Sequence, residues 1–294
     1  MPAFLVFRCC SMLVCRFSAG VLFMATLLVV VPSWALEAPP RSGKPAAAET
    51  PVIARDLVAA GVLRLQAQRV AKLYLQLGLG LNVPVTTKQI EQALAQTDGE
   101  LVKLEPYGRR PDTQRAYARS VAAWQEMRGT VQARYNPAAA ERISQLAEEL
   151  TIHAGKLAMQ VESEAGTPVS RLLDLSSRLN MLAQRLARLY MLAQDGKRSQ
   201  GMLVDLEQTH KEFAVGMQEL VMARENSSAS RDALELVRNQ WVFFDTAVRQ
   251  IQSKSADGKA AQHVASSSER IAESLDLVTG QYARDFSAAG RPAK

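Results

Sequence analysis

The chain has 294 residues, 48% of them apolar and 22% charged, a balance that excludes general disorder and allows one large or two medium domains. Its formal charge is +6, but lysines and arginines alternate with Asp and Glu along the chain, so the basic stripe of a nucleic-acid binder is missing. Aromatic residues are few (6%) while Ala, Leu, Gln, Arg and Glu abound, which predicts an all-α fold.

The first segment, 1–35, differs in kind. Arg8 and Arg16 precede an almost wholly apolar run from Phe17 to Val31, and Pro32, Ser33, Trp34 and Ala35 close it. This is the pattern of a signal peptide cut after Ala35. An uncleaved anchor is the alternative, because the run stretched back to Val14 approaches the length of a membrane span. Cys9, Cys10 and Cys15 all lie here, so the mature chain is expected to carry neither thiol nor disulfide and to tolerate an oxidising compartment. Loss of Arg8 and Arg16 lowers the charge from +6 to +4. The predicted product is exported, to the periplasm, and soluble. Residues 36–51, rich in Ala, Pro, Glu, Gly and Lys, read as a flexible leader.

From Val52 onward the chain repeats itself. Ala67-Gln68-Arg69-Val70-Ala71-Lys72-Leu73-Tyr74 matches Ala183-Gln184-Arg185-Leu186-Ala187-Arg188-Leu189-Tyr190, 116 positions later, and Trp124 and Trp241 are 117 apart. Apolar residues recur at helical spacing, as in Leu172, Leu175, Leu179, Leu182, Leu186 and Leu189. Helices are predicted over 52–78, 86–105, 111–134 and 138–164, then over 168–194, 200–224, 230–253 and 258–286, with Pro or Gly in nearly every break. Thr167 is the expected cap and Pro168 the first position of the fifth. Two tandem antiparallel four-helix-bundle units, 52–165 and 166–288, or one elongated fused bundle, follow from this plan.

The stretch Ala60-Gly61-Val62-Leu63-Arg64-Leu65-Gln66-Ala67-Gln68-Arg69, continued by Lys72-Leu73-Tyr74, resembles the first-helix motif of the PilJ-type domain. That domain is the N-terminal sensor region of type IV pili methyl-accepting chemotaxis transducers and is similar to the sensor domain of nitrate/nitrite sensor kinases. The second copy, Leu175-Ser176-Ser177-Arg178-Leu179-Asn180-Met181-Leu182-Ala183-Gln184-Arg185, carries the same pattern. The resemblance implies first helices that meet across a dimer axis, each offering an arginine to a small anion. By position that arginine is Arg64, and Asn180 stands in its place in the second copy, keeping a donor and losing the charge. A tandem pair could build the family's dimer within one chain, bringing Arg64 beside Asn180, or two chains could form a homodimer. Arg69 and Arg185 are further candidate ligand contacts, although Gln68 and Gln184 beside them suit a structural polar network. Tyr74 and Tyr190 read as bundle-edge residues with a buried ring and a wetted hydroxyl, and Trp124 and Trp241 as core anchors.

Catalytic and metal chemistry lacks its residues. The histidines, His153, His210 and His263, fall in three different predicted helices without Glu-x-x-His or His-x-x-x-His spacing, so no metal or cofactor is expected. There is no phosphate loop, nucleophile elbow or triad. Two functions remain open: a non-enzymatic sensor that binds a small, nitrate-like anion where the motif helices meet and reports to a membrane receptor or pilus-associated protein, and a docking scaffold with no small ligand.

Overall fold

The computed structural model describes residues 50–249, 251 and 258–289. The expected signal peptide, most of the leader and the end of the helix read to 253 lie outside these residues. Eight α-helices and one 3-10 turn account for the described chain: α1 (Thr50–Gly78), α2 (Val83–Lys103), α3 (Gln114–Val131), α4 (Pro137–Ala165), α5 (Pro168–Gln194), α6 (Gln200–Met222), α7 (Ser228–Arg249) and α8 (Gly258–Ala289), with Glu105–Arg109 as the 3-10 turn. The all-α class is thus observed, and no described helix is long and apolar enough to cross a membrane.

Local chemistry sets several boundaries. Asn136 accepts a hydrogen bond from Ala139 N at 2.8 Å and Pro137 opens α4, where a missing N–H costs nothing. Gly166 ends that helix at φ 58°, a left-handed conformation open to glycine at little cost. Thr167 then caps α5 through a reciprocal pair with Ser170, and Pro168 sits in the first turn. The break read at Pro106 to Arg110 is the 3-10 turn, whose Tyr107 is buried and donates to Asp56 Oδ2 at 3.1 Å.

Helices α1 and α5 are the axis of the molecule and pack along each other. They run in the same direction: Gly61 lies against Ser177 near their starts, and at their ends Tyr135 both crowds Gly78 and donates to Asp195. Helix α4 lies antiparallel to α1, with Gln68 against Ala147 and Tyr74 against Asn136, and α8 antiparallel to α5, with Asn180 against Asp276 and Gln184 against Ser268. Helix α2 flanks α1 and α6 flanks α5, while α3 and α7 lie against α4 and α8. One apolar cluster runs through all of them, from Ala54 to Phe286.

Position in this arrangement explains composition. Helix α6 buries one stripe, Met202, Leu206, Thr209, Phe213, Met217 and Leu220, at the three-to-four spacing of an outer helix. Helix α1 is covered on nearly every face, burying Leu57, Leu63, Leu73 and Leu75 but also Asp56, Arg64, Gln66, Gln68, Lys72 and Gln76. Those polar groups must find partners inside the protein.

Gly61 and Ser177 are equivalent positions of the repeat and mark the closest approach of the axial helices. A Cβ on Gly61 would stand 2.6 Å from Ser177 Cβ. Gly61→Val is therefore expected to lower stability by about 1–3 kcal/mol through overpacking, measured as a reduced urea midpoint with an unchanged slope. Gly129→Val on α3, where a Cβ meets nothing within 4 Å, serves as the contrast and should show only the smaller effect of a β-branched residue in a helix.

Candidate functional site

The two motif helices carry their cations inward, and each set meets a carboxylate from the last helix of the other repeat. Lys72 of α1 is fully buried; its ammonium donates to Ser268 Oγ at 3.1 Å and pairs with Glu269 of α8. Arg69 reaches the same carboxylate in a fork, Nε lying 3.1 and 3.0 Å from its two oxygens. The second repeat mirrors this. Arg188, 116 positions after Lys72, pairs with Glu148 of α4 and donates through Nε to Gln68 Oε1 at 2.7 Å. Arg185 Nε stands 3.2 Å from Glu148 Oε1. Glu148 and Glu269 are themselves 121 positions apart, each two residues before an apolar residue that faces the core, Leu150 and Ile271.

The result is a crossed tie: cations of α1 hold an acid of α8, and cations of α5 hold an acid of α4. Gln68 and Gln184 reinforce it. Gln68 Nε2 donates to Thr151 Oγ1 at 2.9 Å and Ala147 O at 3.3 Å, and Gln184 Nε2 to Ser268 O at 2.9 Å. Each glutamine thus joins its motif helix to the last helix of its own repeat, Gln68 to α4 and Gln184 to α8.

Electrostatics follow from this geometry. Burial draws the Lys72 ammonium and the Arg188 guanidinium below their ordinary values, opposed by Glu269 and Glu148. Burial by itself pushes Glu269 up, yet Lys72 and Arg69 together hold it at about 2. A carboxyl that is more acidic folded than unfolded stabilises the fold above its unfolded value and loses that contribution as the pH falls towards its folded value. Urea unfolding should accordingly weaken between roughly pH 4.5 and 2, with a shallower loss over that interval in Glu269→Gln. An equal loss in the variant would assign the acid sensitivity elsewhere.

Arg64 is also buried, and its guanidinium pairs with Asp174 of α5. Asn180 turns away from it, donating to Asp276 Oδ1 at 2.8 Å and Ala272 O at 3.2 Å on α8. The structure thus gives these two residues separate partners instead of a common pocket. Arg64 Nε and Asn180 Oδ1 are buried and make no hydrogen bond. Asp174 keeps part of its surface in solvent, with 15% of its side chain exposed.

Two aromatic expectations need correction. Tyr74 is not at a wetted bundle edge: its ring is buried 5.2 Å from that of Tyr135, and its hydroxyl donates to Arg134 O and accepts from Asn136 N, both at 3.3 Å. Tyr190 is likewise buried. Both lie near the C-terminal ends of helices that are buried over most of their length, which sequence periodicity alone does not distinguish from an edge. Trp124 is a core residue whose indole donates to Asp98 Oδ1 at 2.8 Å; Trp241 is only partly buried and stacks on Phe213 with centroids 4.0 Å apart.

No family model, curated protein or solved structure matches the chain. The site therefore has to be read from its own chemistry. Among the described residues no group of three His, Asp or Glu side chains stands ready to hold a metal ion. His153, His210 and His263 sit on α4, α6 and α8, and His210 is paired with Asp245. What the motif assembles is a closed ionic network joining two repeats. The acids in it, Asp174, Glu148 and Glu269, were missed by reading the motif alone. A signal existed: three cations at core positions of two motif helices demand buried carboxylates, and Glu148 and Glu269 recur at matching places in α4 and α8 once the longer spacing of 121 is allowed.

Proposed function

We propose that the chain is an exported, non-enzymatic helical docking module of PilJ type. On this reading residues 1–35 are a signal peptide, and 52–165 and 166–288 are two antiparallel four-helix units fused along α1 and α5. The fusion does within one chain what dimerisation does in the receptors it resembles. The partner is a membrane receptor or a pilus-associated protein in the periplasm, and the signal is the docking itself.

The observation that carries this reading is the crossed tie. The arginines and lysine of both motifs are committed to Asp174, Glu148 and Glu269, so each of these cations already has a carboxylate partner within the chain. Outer faces remain available for a partner. On α6, Val204, Val215 and Met222 share one face at spacings of 11 and 7, and on α7 Leu236 and Phe243 do so at 7; all five are exposed.

A second reading, small-anion sensing, draws support from one detail. Asp174 presents its carboxylate to Arg64 much as an oxyanion would, it is partly open to solvent, and Arg64 Nε makes no hydrogen bond. An anion that displaced Asp174 would meet a guanidinium able to accept it. Thermal unfolding with nitrate, nitrite and chloride at equal ionic strength separates the two. The docking reading expects no nitrate-specific shift in the unaltered chain and a partial recovery by nitrate of the midpoint lost in Asp174→Ala, where the anion replaces the missing carboxylate. A specific shift in the unaltered chain that disappears in Arg64→Ala would overturn docking in favour of sensing.

A further inference from the structure

Among the described residues most basic side chains lie against a carboxylate, but a group on the outer side of the α3–α4 pair does not. Arg115 and Arg119 project from the first turns of α3, and His153 and Lys156 from the facing stretch of α4; with Asp112, Thr113, Ala116 and Gln160 they line a concavity of about 330 Å³. The pairing is antiparallel, so Arg119 faces the level of His153 and Ala116 that of Lys156.

The acids nearest this concavity are already engaged. Asp112 is held by Arg110, which also binds Glu164, and Glu149 is held by Arg142. Among the described residues no ion pair neutralises Arg115, Arg119 or Lys156. Their field falls on His153: burial, then Lys156 and Arg119, lower its pKa, with Glu149 acting weakly the other way. The start of α3, an 18-residue helix, opens onto the same place with Thr113 making no side-chain cap, so its positive end adds to the cations.

We propose that the α3–α4 groove binds a small tetrahedral dianion, of the sulfate and phosphate type, between Arg115 and Arg119 on one wall and His153 and Lys156 on the other. Three cations lining one concavity match a multivalent anion better than a monovalent one, and guanidinium groups give it paired donors. The site is distinct from the α1–α5 seam, and its existence does not depend on what the seam does. Because the bound dianion offsets the repulsion from Lys156 and Arg119, His153 takes up a proton on binding, with Arg115, Asp112 and Glu149 as the other charged groups around it.

The test is calorimetric titration of the purified chain with sulfate, whose charge is constant over the range, at pH 6 and pH 8 and constant ionic strength. The NMR titration of His153 is followed in sulfate and in chloride. Saturable binding is expected, tighter at pH 6, with the His153 midpoint raised in sulfate only. Each of Arg119→Gln and Lys156→Gln should weaken binding on the order of tenfold. These side chains are exposed, so unfolding midpoints without sulfate should stay where they are. Nitrate should fail to compete, and inorganic phosphate should compete. Absence of saturable binding overturns the proposal, as does binding that survives both substitutions. Affinity for phosphatidylglycerol vesicles without affinity for free sulfate would also overturn it, replacing a small-ligand site with a membrane-facing one.

Discussion

Glu269→Gln is expected to be among the most damaging single changes in the molecule, lowering stability by about 3–5 kcal/mol. The substitution removes one charge and almost no volume. It leaves the fully buried Lys72 ammonium with only Ser268 and the new amide, and it leaves Arg69, whose side chain is 15% exposed, without its fork partner. Glu148→Gln acts on the mirror pair, Arg185 and Arg188, and should cost less, because Glu148 is itself 35% exposed and water can replace part of what it supplied. Equilibrium urea unfolding by far-UV circular dichroism gives both values. Equal and negligible effects would mean that these pairs are ornaments on an otherwise apolar core.

Asp174→Ala is the second. It strands the Arg64 guanidinium, which is 6% exposed, between α1, α4 and α5. A loss of about 3 kcal/mol is expected, since breaking a buried pair from one side leaves an uncompensated charge. The double variant Arg64→Met/Asp174→Ala should recover most of it, because a flexible apolar chain of similar length replaces the arginine stem along Gly155. If the double variant is as unstable as the sum of the single ones, the two residues do not form the pair described here.

Both effects reflect a helix that is polar and central at once. An outer helix can leave its lysines and glutamines in water. Helix α1 cannot, because α2, α4, α5 and α8 surround it, so its cations Arg64, Arg69 and Lys72 are paired with carboxylates of other helices. The same demand falls on α5, and the repeat meets it by exchanging acids between halves. Cooperative unfolding in one step is the natural consequence, since neither half can keep its tie when the other opens.

The helices were legible in the sequence because the Pro and Gly breaks are strong local signals: Asn136-Pro137 and Gly166-Thr167-Pro168 act as the stops and starts they resemble. The 116-residue repeat left open whether the two motif helices meet within one chain or between two, and the parallel pairing of α1 and α5 rests on contacts between residues far apart in sequence. The identity of the pairs across the seam was not. Arg64 and Asn180 share a repeat position, yet the first turns to α5 and the second to α8, because Gly155 on α4 leaves room for the arginine stem where Asp276 on α8 offers the asparagine a carboxylate. Equivalent positions diverge when their neighbours on another helix differ. That information lies in α4 and α8, which the motif does not contain. The Tyr74 hydroxyl was misplaced in water for a related reason, since the backbone groups that satisfy it belong to the Arg134–Asn136 turn, far away in sequence.

The most direct measurement is a double-mutant cycle across the two repeats with Lys72→Met, Glu269→Leu and the combined variant, read by urea unfolding. The crossed-tie account predicts that each single change is strongly destabilising, and that the combined chain is more stable than the worse of the two, with a coupling of roughly 2 kcal/mol or more. Additive losses with no coupling would contradict it, and would leave Arg69 and Arg185 as side chains free to hold a ligand.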